Sequence, residues 1–308
     1  MTKILKNNNT LLKFIQCLII VFLVLTIGGC NIEVNKDVLN NSKENVTEKG
    51  KLKVHYIDVG QGDSILLQFE DKNMLIDAGT NASAKNLIKY LNNVAVKKID
   101  FLIATHPHED HIGGMDDIIK NFNIGTMYMP KKTANTKTFK DVVSAMKSKN
   151  IKAKEPVAGE KFNFGDTVCE IMAPNKSKYD NINNYSIVVK VTHNNKSFLF
   201  AGDAEGVSEK EILKKGFNIS ADVLKLGHHG SHSSTTNEFL KRVKPKYAVV
   251  CAGRGNDYGH PHKEIVGKLR ETGVKLYRTD ENGTIVATSD GKNISFNCKP
   301  GSYNRGKK

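Results

Sequence analysis

The stretch THPHEDHIGG, from Thr105 to Gly114, places three histidines, one glutamate and one aspartate within positions 106–111. It follows the apolar run IDFLIA, which predicts a buried strand that ends where the histidines begin. The polar spacing is H-x-H-x-D-H, formed by His106, His108, Asp110 and His111. Imidazole nitrogens and carboxylate oxygens are the ligands that zinc prefers, and manganese or iron where carboxylates are more numerous. A solvated polar loop would rarely carry this pattern, so the stretch predicts a metal site.

Two groups of ligands a few residues apart suit two metal ions. His106 and His108 can point the same way from a loop, whereas Asp110 and His111 can turn toward an adjacent point as a helix begins. Two ions on the order of 3.5–4 Å apart clamp the attacking and leaving oxygens in phosphoester hydrolysis. Glu109 lies between these positions and is expected to face away. The spacing therefore predicts a dinuclear hydrolytic centre.

Other histidines and aspartates also follow apolar runs. Asp77 closes NMLID, Asp203 follows SFLFAG, and the pair His228 and His229 follows DVLKLG. His260 comes after YAVVCA and a short loop. Singly, each would more often be a turn residue or a helix cap. Jointly they lie at the ends of at least five predicted strands, which would deliver their side chains to a common rim.

The pattern of strands and helices places the chain in the α/β class. Strands fall into two groups, and helices are interleaved after the first few strands. The predicted helices cover residues 83–93, 115–122, 138–149, 208–215, 237–243 and 261–271. This order suits two sheets packed face to face and covered by helices. No repeat or second domain boundary interrupts residues 51–297, which are expected to form one domain.

The amino-terminal residues indicate export. Three lysines precede the apolar run FIQCLIIVFLVLTI, which is short for a permanent membrane span and fits a signal-peptide core. The run ends in IGGC, which resembles a bacterial lipobox and implies lipidation of Cys30. We therefore expect a signal peptide at 1–29, a flexible tether at 30–50 and a basic frayed tail at 298–308. An uncleaved anchor helix is the alternative, and either places the domain on the extracellular face of the bacterial membrane.

Charge and cysteine content limit the classes of partner. The net charge is +14, and removing the three lysines of residues 1–29, which hold no acidic residue, leaves +11. The basic residues are 41 lysines and 5 arginines. Lysines suffice for sequence-independent attraction to phosphates, whereas base-specific contacts favour arginine. The charge thus permits a polyanionic partner. Cys169, Cys251 and Cys298 are odd in number and predict no disulfide framework.

Several motifs together resemble the metallo-β-lactamase superfamily of hydrolases. These are H-x-H-x-D-H, the preceding LIDAG (75–79), the later AGDAE (201–205) and a carboxy-terminal histidine motif. More narrowly, DVGQGDS (58–64), NNYS, GHHGS and YGHPH resemble the hydrolase domain of the ComEC-type competence proteins and their free-standing relatives. The resemblance covers residues 51 to about 290. It implies a four-layer αββα sandwich with a dinuclear site at one edge of the two sheets.

The resemblance also implies roles for individual residues. His106 and His108 would hold the first metal, Asp110 and His111 the second, and Asp203 would bridge both. His228 or His229, with His229 favoured, would complete the later set. Asp77 would orient a ligand histidine. The family signature further includes three residues expected to shape the pocket floor: Asp58, Gln61 and Asp63.

One histidine of the superfamily pattern has no clear counterpart. The broad pattern supplies a further histidine ligand between H-x-H-x-D-H and the bridging aspartate. Only His193, in the turn THNNKS, lies in that interval, and it is expected to be solvated and remote from the site. Either His260 fills the position or the first metal has fewer protein ligands.

These features predict metal-assisted hydrolysis with two divalent ions, Zn²⁺ or else Mn²⁺. Asp110 would orient the attacking hydroxide, and His260, Ser231 or Asn184 would bind substrate oxygens. The resemblance implies a phosphodiester substrate, DNA in particular. A teichoic-acid phosphocholine ester of the cell wall is the alternative, and β-lactam cleavage is less well supported. A lipoprotein that only binds DNA or wall polymer would have lost ligands, which this chain keeps. DNA uptake would require a separate channel protein, because only one apolar stretch is present.

Overall fold

A computed structural model describes residues 50–307. Gly50–Lys308 form one compact unit with its own cores, as expected of a domain that folds independently. The predicted signal peptide, Cys30 and nearly all of the tether lie outside the described residues. Within residues 50–307, no helix is both long enough and apolar enough to cross a membrane.

The strands are short and are numbered in chain order. They are β1 (Leu52–Tyr56), β2 (Ile65–Phe69), β3 (Lys72–Ile76), β4 (Lys98–Ile103), β5 (Asn123–Tyr128), β6 (Ala153–Lys154), β7 (Lys161–Phe164), β8 (Thr167–Ala173), β9 (Val188–His193), β10 (Lys196–Phe200), β11 (Val223–Lys225), β12 (Tyr247–Val250), β13 (Lys275–Arg278), β14 (Ile285–Ser289) and β15 (Ile294–Phe296).

The helices follow the same convention. They are α1 (Ala84–Asn93), α2 (Glu109–Ile112), α3 (Met115–Asn121), α4 (Lys137–Ser148), α5 (Gly206–Lys215), α6 (Asn237–Val243), α7 (Lys263–Glu271) and α8 (Thr279–Asn282). Threonine caps begin two of them: the Thr136 and Thr236 hydroxyls accept from the amides of Phe139 and Phe239 at 3.2 and 3.3 Å. Short 3₁₀ turns occur at Asn81–Ser83, Ile182–Tyr185 and Gly227–Gly230.

The strands form two mixed sheets. One has the order β15-β14-β1-β2-β3-β4-β5-β6, and the other has the order β13-β12-β11-β10-β9-β8-β7. In the first sheet β3 to β6 run parallel, and in the second β10 to β13 run parallel. The remaining neighbours within each sheet are antiparallel. Each sheet therefore has a parallel half, whose strand ends share one edge.

Side-chain alternation builds the layers. Tyr56, Ile65 and Phe200 belong to a core between the sheets, whereas Leu66 and Leu199, one position away, join separate cores under the helices. Successive side chains of a strand point to opposite faces, so each buried strand feeds two interfaces. Helices α1 to α4 cover the first sheet and α5 to α7 the second. This is the four-layer αββα sandwich that was predicted.

The carboxy-terminal segment differs from the prediction. Residues 298–307 are not frayed: the amides of Gly301 and Gly306 donate to the carbonyls of Leu276 and Pro261, both at 2.8 Å. The Tyr303 hydroxyl donates to the Val274 carbonyl at 2.8 Å. The prediction of a frayed tail was wrong, because its polar composition did not reveal these backbone acceptors at the edge of β13.

Candidate metal centre

The candidate centre is built around Asp203, which follows β10. Its carboxylate is 2% exposed, and Oδ2 faces the Nε2 atoms of four histidines. The distances are 3.8 Å to His106, 3.2 Å to His111, 3.8 Å to His228 and 3.5 Å to His229. The Asp203 amide donates to the Ser186 hydroxyl at 3.0 Å, which fixes the turn. One carboxylate oxygen thus lies between two groups of imidazoles.

The first group contains His106, His108 and Asp203. Their potential ligand atoms lie within 4.8 Å of one another. His106 Nε2 is 2.9 Å from His108 Nδ1, while His106 Nδ1 lies 3.1 Å from the Thr105 hydroxyl and 3.3 Å from the Ser186 hydroxyl. The hydroxyls therefore engage Nδ1 of His106, while its Nε2 faces both His108 and Asp203.

The second group contains His111, His229 and Asp203, with Asp63 behind them. The Nε2 atoms of His111 and His229 are 3.3 Å apart. Asp110 Oδ2 lies 3.2 Å from His229 Nε2 and 3.8 Å from His111 Nε2. The loop GHHGS brings His229 here because His228 and His229 both have positive φ, at 46° and 51°. This backbone turns the two adjacent rings in different directions.

Asp77 holds His111 from behind. It follows β3 and is fully buried, and it accepts from the Thr105 amide at 2.8 Å and the Thr105 hydroxyl at 2.7 Å. Its Oδ2 is 2.8 Å from His111 Nδ1. A carboxylate on Nδ1 leaves Nε2 as the ligand atom, which is the orienting role predicted for Asp77.

Asp63 and Lys225 form a buried ion pair beneath His229. Lys225 Nζ lies 2.7 Å from Asp63 Oδ2, and both side chains are at most 1% exposed. Asp63 Oδ1 is 3.2 Å from His229 Nδ1, although that nitrogen donates to the Cys251 carbonyl at 2.9 Å. Sequence analysis missed Lys225. Its signal was a lysine inside the apolar run DVLKL.

The charges of the cluster compensate one another. Burial lowers the pKa of His111 and His229, but Asp203 and the neighbouring carboxylates outweigh burial and raise both pKa values well above the usual range. Burial raises the pKa of Asp203, and His111 and His229 overcome it, so that this pKa lies well below its usual range. The buried Asp203 Oδ1 has no hydrogen-bond partner among the described residues. A set of imidazoles around such a carboxylate fits divalent zinc or manganese.

A cavity of about 280 Å³ opens onto this cluster. Its lining consists of Gln61, His108, Glu109, Asp110, Asp203, His228, His229, Tyr258 and His260. Burial, and then His229, lower the pKa of His260 to about 3, so its imidazole is neutral at neutral pH. The Tyr258 side chain is 63% exposed and was missed by sequence analysis.

The structure distinguishes between His228 and His229, which the sequence left as alternative ligands. His229 is 1% exposed and contacts both His111 and Asp110. The His228 side chain is 25% exposed, and its Nδ1 faces Glu205 Oε1 at 3.3 Å and the Ser233 hydroxyl at 3.1 Å. The geometry therefore favours His229 as the later ligand and places His228 at the rim.

Three predicted site residues lie outside the cavity. Asp58 is exposed and accepts from the Gly60 amide at 3.1 Å, so its predicted place in the pocket floor was wrong. Asn184 accepts from the amides of Glu205 and Ser208 and positions α5. Ser231 bonds to the Ser233 hydroxyl at 3.1 Å, and neither Asn184 nor Ser231 lines the cavity.

His193 is remote from the cluster but not solvated. It is 2% exposed, with Nδ1 3.0 Å from the Ser289 hydroxyl and its ring on Phe69. The expectation of a solvated histidine was wrong, because β14 of the first sheet covers the end of β9. Glu109 accepts from the backbone and side-chain amides of Asn81 at 2.7 and 2.8 Å, although it also borders the cavity.

Comparisons with known proteins agree with this architecture. A family model described as the metallo-beta-lactamase superfamily matches residues 57–254. ComE operon protein 3 of Bacillus subtilis (strain 168) is 32% identical over 250 residues, covering 75% of this chain and 32% of that protein. Competence protein ComA of Neisseria gonorrhoeae is 30% identical over 230 residues, covering 74% and 31%. The chain thus spans about a third of the length of these curated relatives.

A solved structure supports the fold. The crystal structure of the metallo-beta-lactamase fold protein YhfI from Bacillus subtilis aligns with a TM-score of 0.50 and 13% identity. The alignment covers 74% of this chain and 95% of that one. At this identity the likeness concerns the fold alone.

Proposed function

Because the chain belongs to the metallo-β-lactamase superfamily and is a metal-dependent hydrolase related to competence proteins, we propose that it is an exported phosphodiesterase acting on DNA. The observation that carries the proposal is the position of Asp203 Oδ2 between two groups of imidazoles. One such carboxylate can serve two metal ions at once. Paired divalent ions are a common device of phosphoester hydrolysis.

The proposed ligands divide between two ions. His106 and His108 would hold one, His111, His229 and Asp110 the other, and Asp203 both. The ions would supply positive charge that lowers the pKa of water toward ~7 and offsets charge developing on a phosphoryl group.

The surrounding residues give this centre its geometry. Asp77 fixes the tautomer of His111, and Asp63 with the Cys251 carbonyl holds His229 from behind. Asp110 borders the cavity and would orient the attacking water. His260 borders the cavity with a neutral ring and would bind a substrate oxygen there.

The proposed substrate and cellular location rest on features outside the site. One relative is named as a competence protein, and the chain carries a net charge of +14, which favours a polyanion such as DNA. The apolar amino terminus ending in Cys30 supports export and a lipid anchor on the extracellular face of the membrane. Any role in DNA uptake would then need a separate channel as partner.

The proposal is tested with the fragment from Gly50 to Lys308 and bis(p-nitrophenyl) phosphate. Turnover is measured metal-free and with added Zn²⁺ or Mn²⁺. We expect metal-dependent turnover that is lost in Asp110→Ala/His111→Ala. It should be retained in Asp58→Ala, which removes an exposed carboxylate outside the site. Cleavage of DNA and of teichoic acid, compared next, identifies the natural polymer.

Each negative result would indicate a different function. A folded fragment that binds metal but turns over no diester would act on another bond. Preference for teichoic-acid phosphocholine would make it a cell-wall esterase. A fragment that binds no metal would leave a lipoprotein that binds DNA or wall polymer without chemistry.

A further inference from the structure

A second cleft adjoins the candidate centre. It has a volume of about 600 Å³ and lies between the loop before α7 and the carboxy-terminal segment. Its lining consists of His232, Tyr258, Gly259, His262, Lys263, Glu264, Arg305, Gly306 and Lys307. Tyr258 also lines the metal cavity, so the two spaces share a wall. Apart from His232, these residues lie outside residues 57–254, the part of the chain that matches the family model.

The cleft carries an excess of positive charge. Lys263, Arg305 and Lys307 oppose the single carboxylate of Glu264, so the formal balance is +2. Glu264 lies 4.0 Å from Lys263. Arg305 and Lys307 are exposed and make no ion pair with any described residue. Both cations are therefore available to an anion from solution.

Gly306 fixes the backbone between these two residues. Its amide donates to the Pro261 carbonyl at 2.8 Å. A side chain here would overlap the backbone carbonyl of His260, so only glycine allows this approach. Arg278 also donates to the carbonyls of Ser302 and Asn304, which anchors the preceding residues. The segment is thus held against the loop that carries His260.

Tyr258 presents a flat apolar surface at the shared wall. Its ring stacks on His260 with centroids 5.5 Å apart and planes 18° apart, and the side chain is 63% exposed. His262 Nε2 lies 3.1 Å from the Tyr258 carbonyl, and the His232 amide donates to His262 Nδ1 at 3.0 Å. The Tyr258 ring is therefore packed against His260 on one face and exposed to solvent on the other. Bases of a single strand can stack on such a ring, whereas those of a duplex are already stacked.

We propose that this cleft binds single-stranded DNA next to the cleavage site, with backbone phosphates on Arg305 and Lys307 and a base on Tyr258. The inference deepens the proposed function and rests on it. The cleft is close to the centre, since the His260 ring lies 6.2 Å from that of His229 and 4.7 Å from that of His262. A strand in the cleft would reach the metal site within a few nucleotides. Most basic residues of the chain are lysines, which fits attraction to the phosphate backbone of DNA without base specificity.

The test is the salt dependence of binding. A fluorescent oligothymidylate of about 12 nucleotides is titrated with the Gly50–Lys308 fragment in EDTA at several NaCl concentrations. Two lost phosphate contacts should lower the slope of log K against log[salt] by about 1.4 in Arg305→Ala/Lys307→Ala. The charge-preserving Arg305→Lys/Lys307→Arg should keep the slope. Lys214→Ala/Lys215→Ala removes two exposed lysines that line neither cavity and should also keep it.

The outcomes separate this inference from the proposed function. If Arg305→Ala/Lys307→Ala and Lys214→Ala/Lys215→Ala lower the salt slope equally, or if neither lowers it, the cleft is not a DNA-binding site. Tyr258→Ala should weaken oligothymidylate binding at least about fivefold. If Tyr258→Ala binds the oligothymidylate as tightly as the wild type, and poly(glycerol phosphate) competes with the oligothymidylate equally well, the cleft would belong to wall polymer and the inference would be refuted. These measurements need no turnover, so they decide the cleft even if the fragment cleaves no diester.

Turnover adds an independent readout where it is present. Arg305→Ala/Lys307→Ala should raise KM for the oligonucleotide about tenfold or more. It should leave bis(p-nitrophenyl) phosphate turnover unchanged, because that substrate has no neighbouring nucleotide to occupy the cleft. An equal loss on both substrates would show damage to the centre and contradict the proposed role.

Discussion

Replacing Lys225 by methionine tests the buried ion pair beneath the centre. Lys225 Nζ lies 2.7 Å from Asp63 Oδ2, donates to the Leu226 carbonyl at 2.9 Å and is fully buried. Methionine keeps the length of the side chain but removes the charge. The Asp63 carboxylate would then remain buried beside Cys251, with only histidines, His229 and His111, to offset its charge among the described residues. We expect the domain to lose stability and His229 to lose its support.

The magnitude follows from burial. Removing one partner of a buried ion pair costs about 3–5 kcal/mol, because the other charge is left uncompensated. For a domain of this size, each kcal/mol lowers Tm by about 2–4 °C, so a fall of roughly 6–20 °C is expected. In Lys225→Met/Asp63→Asn the stranded charge is gone. The double variant should therefore be more stable than the two single losses predict, by about 0.5–3 kcal/mol.

Urea unfolding of the Gly50–Lys308 fragment in EDTA measures these free energies without metal. Lys190→Met is the matched control, since Lys190 is 8% exposed on β9 of the same sheet and donates to the Asn218 carbonyl at 2.8 Å. No carboxylate lies within ion-pair distance of Lys190 among the described residues, so its loss should cost only about 0.5–1.5 kcal/mol. A cost for Lys225→Met no larger than that of the control, or strict additivity in the double variant, would refute the reasoning.

Four further predictions concern the centre and the anchor. Asp203→Asn should reduce bound zinc from two ions to at most one per fragment by elemental analysis, because the shared anionic oxygen is lost; two retained ions would contradict its bridging role. His229→Ala should weaken zinc binding by more than ~100-fold in a competition titration. His228→Ala should stay within the ~10–100-fold typical of residues that only orient a ligand, and equal losses would contradict the assignment. In EDTA, the raised pKa values of His111 and His229 stabilise the domain fully below pH ~6.5. That contribution is lost as pH rises through the raised folded-state values, so the free energy of unfolding should fall as pH rises above ~6.5, and a flat profile would contradict the pairing. In cells, Cys30→Ala should release the full-length protein from the membrane fraction, whereas continued membrane association would indicate an uncleaved anchor helix.

The fold was accessible from the sequence because its signals are local. The apolar runs NMLID, IDFLIA, SFLFAG, DVLKLG and YAVVCA were correctly predicted as the strands β3, β4, β10, β11 and β12, since a short continuous apolar run suits a strand buried on both faces. Strands β5 to β8 were not predicted. They are short or partly exposed, with apolar residues too few to stand out from loops.

The choice between adjacent histidines needed the structure. GHHGS shows two identical side chains in one turn, and only the folded loop shows that His229 lies inward and His228 at the rim. Lys225 was equally hidden, because a lysine in a short strand is usually turned to solvent. Its burial becomes intelligible only when Asp63, far away in the chain, lies 2.7 Å from it.

The sequence by itself determined the layers, the ligand types and their location at strand ends, because residue chemistry and periodicity are properties of neighbouring positions. Tertiary structure alone decided which of these groups meet. It placed Asp203 between imidazoles from two separate segments, put Asp58 at the surface and packed a polar tail against the His260 loop. Contacts between distant segments depend on how two sheets and their loops pack together, and no local pattern records that packing.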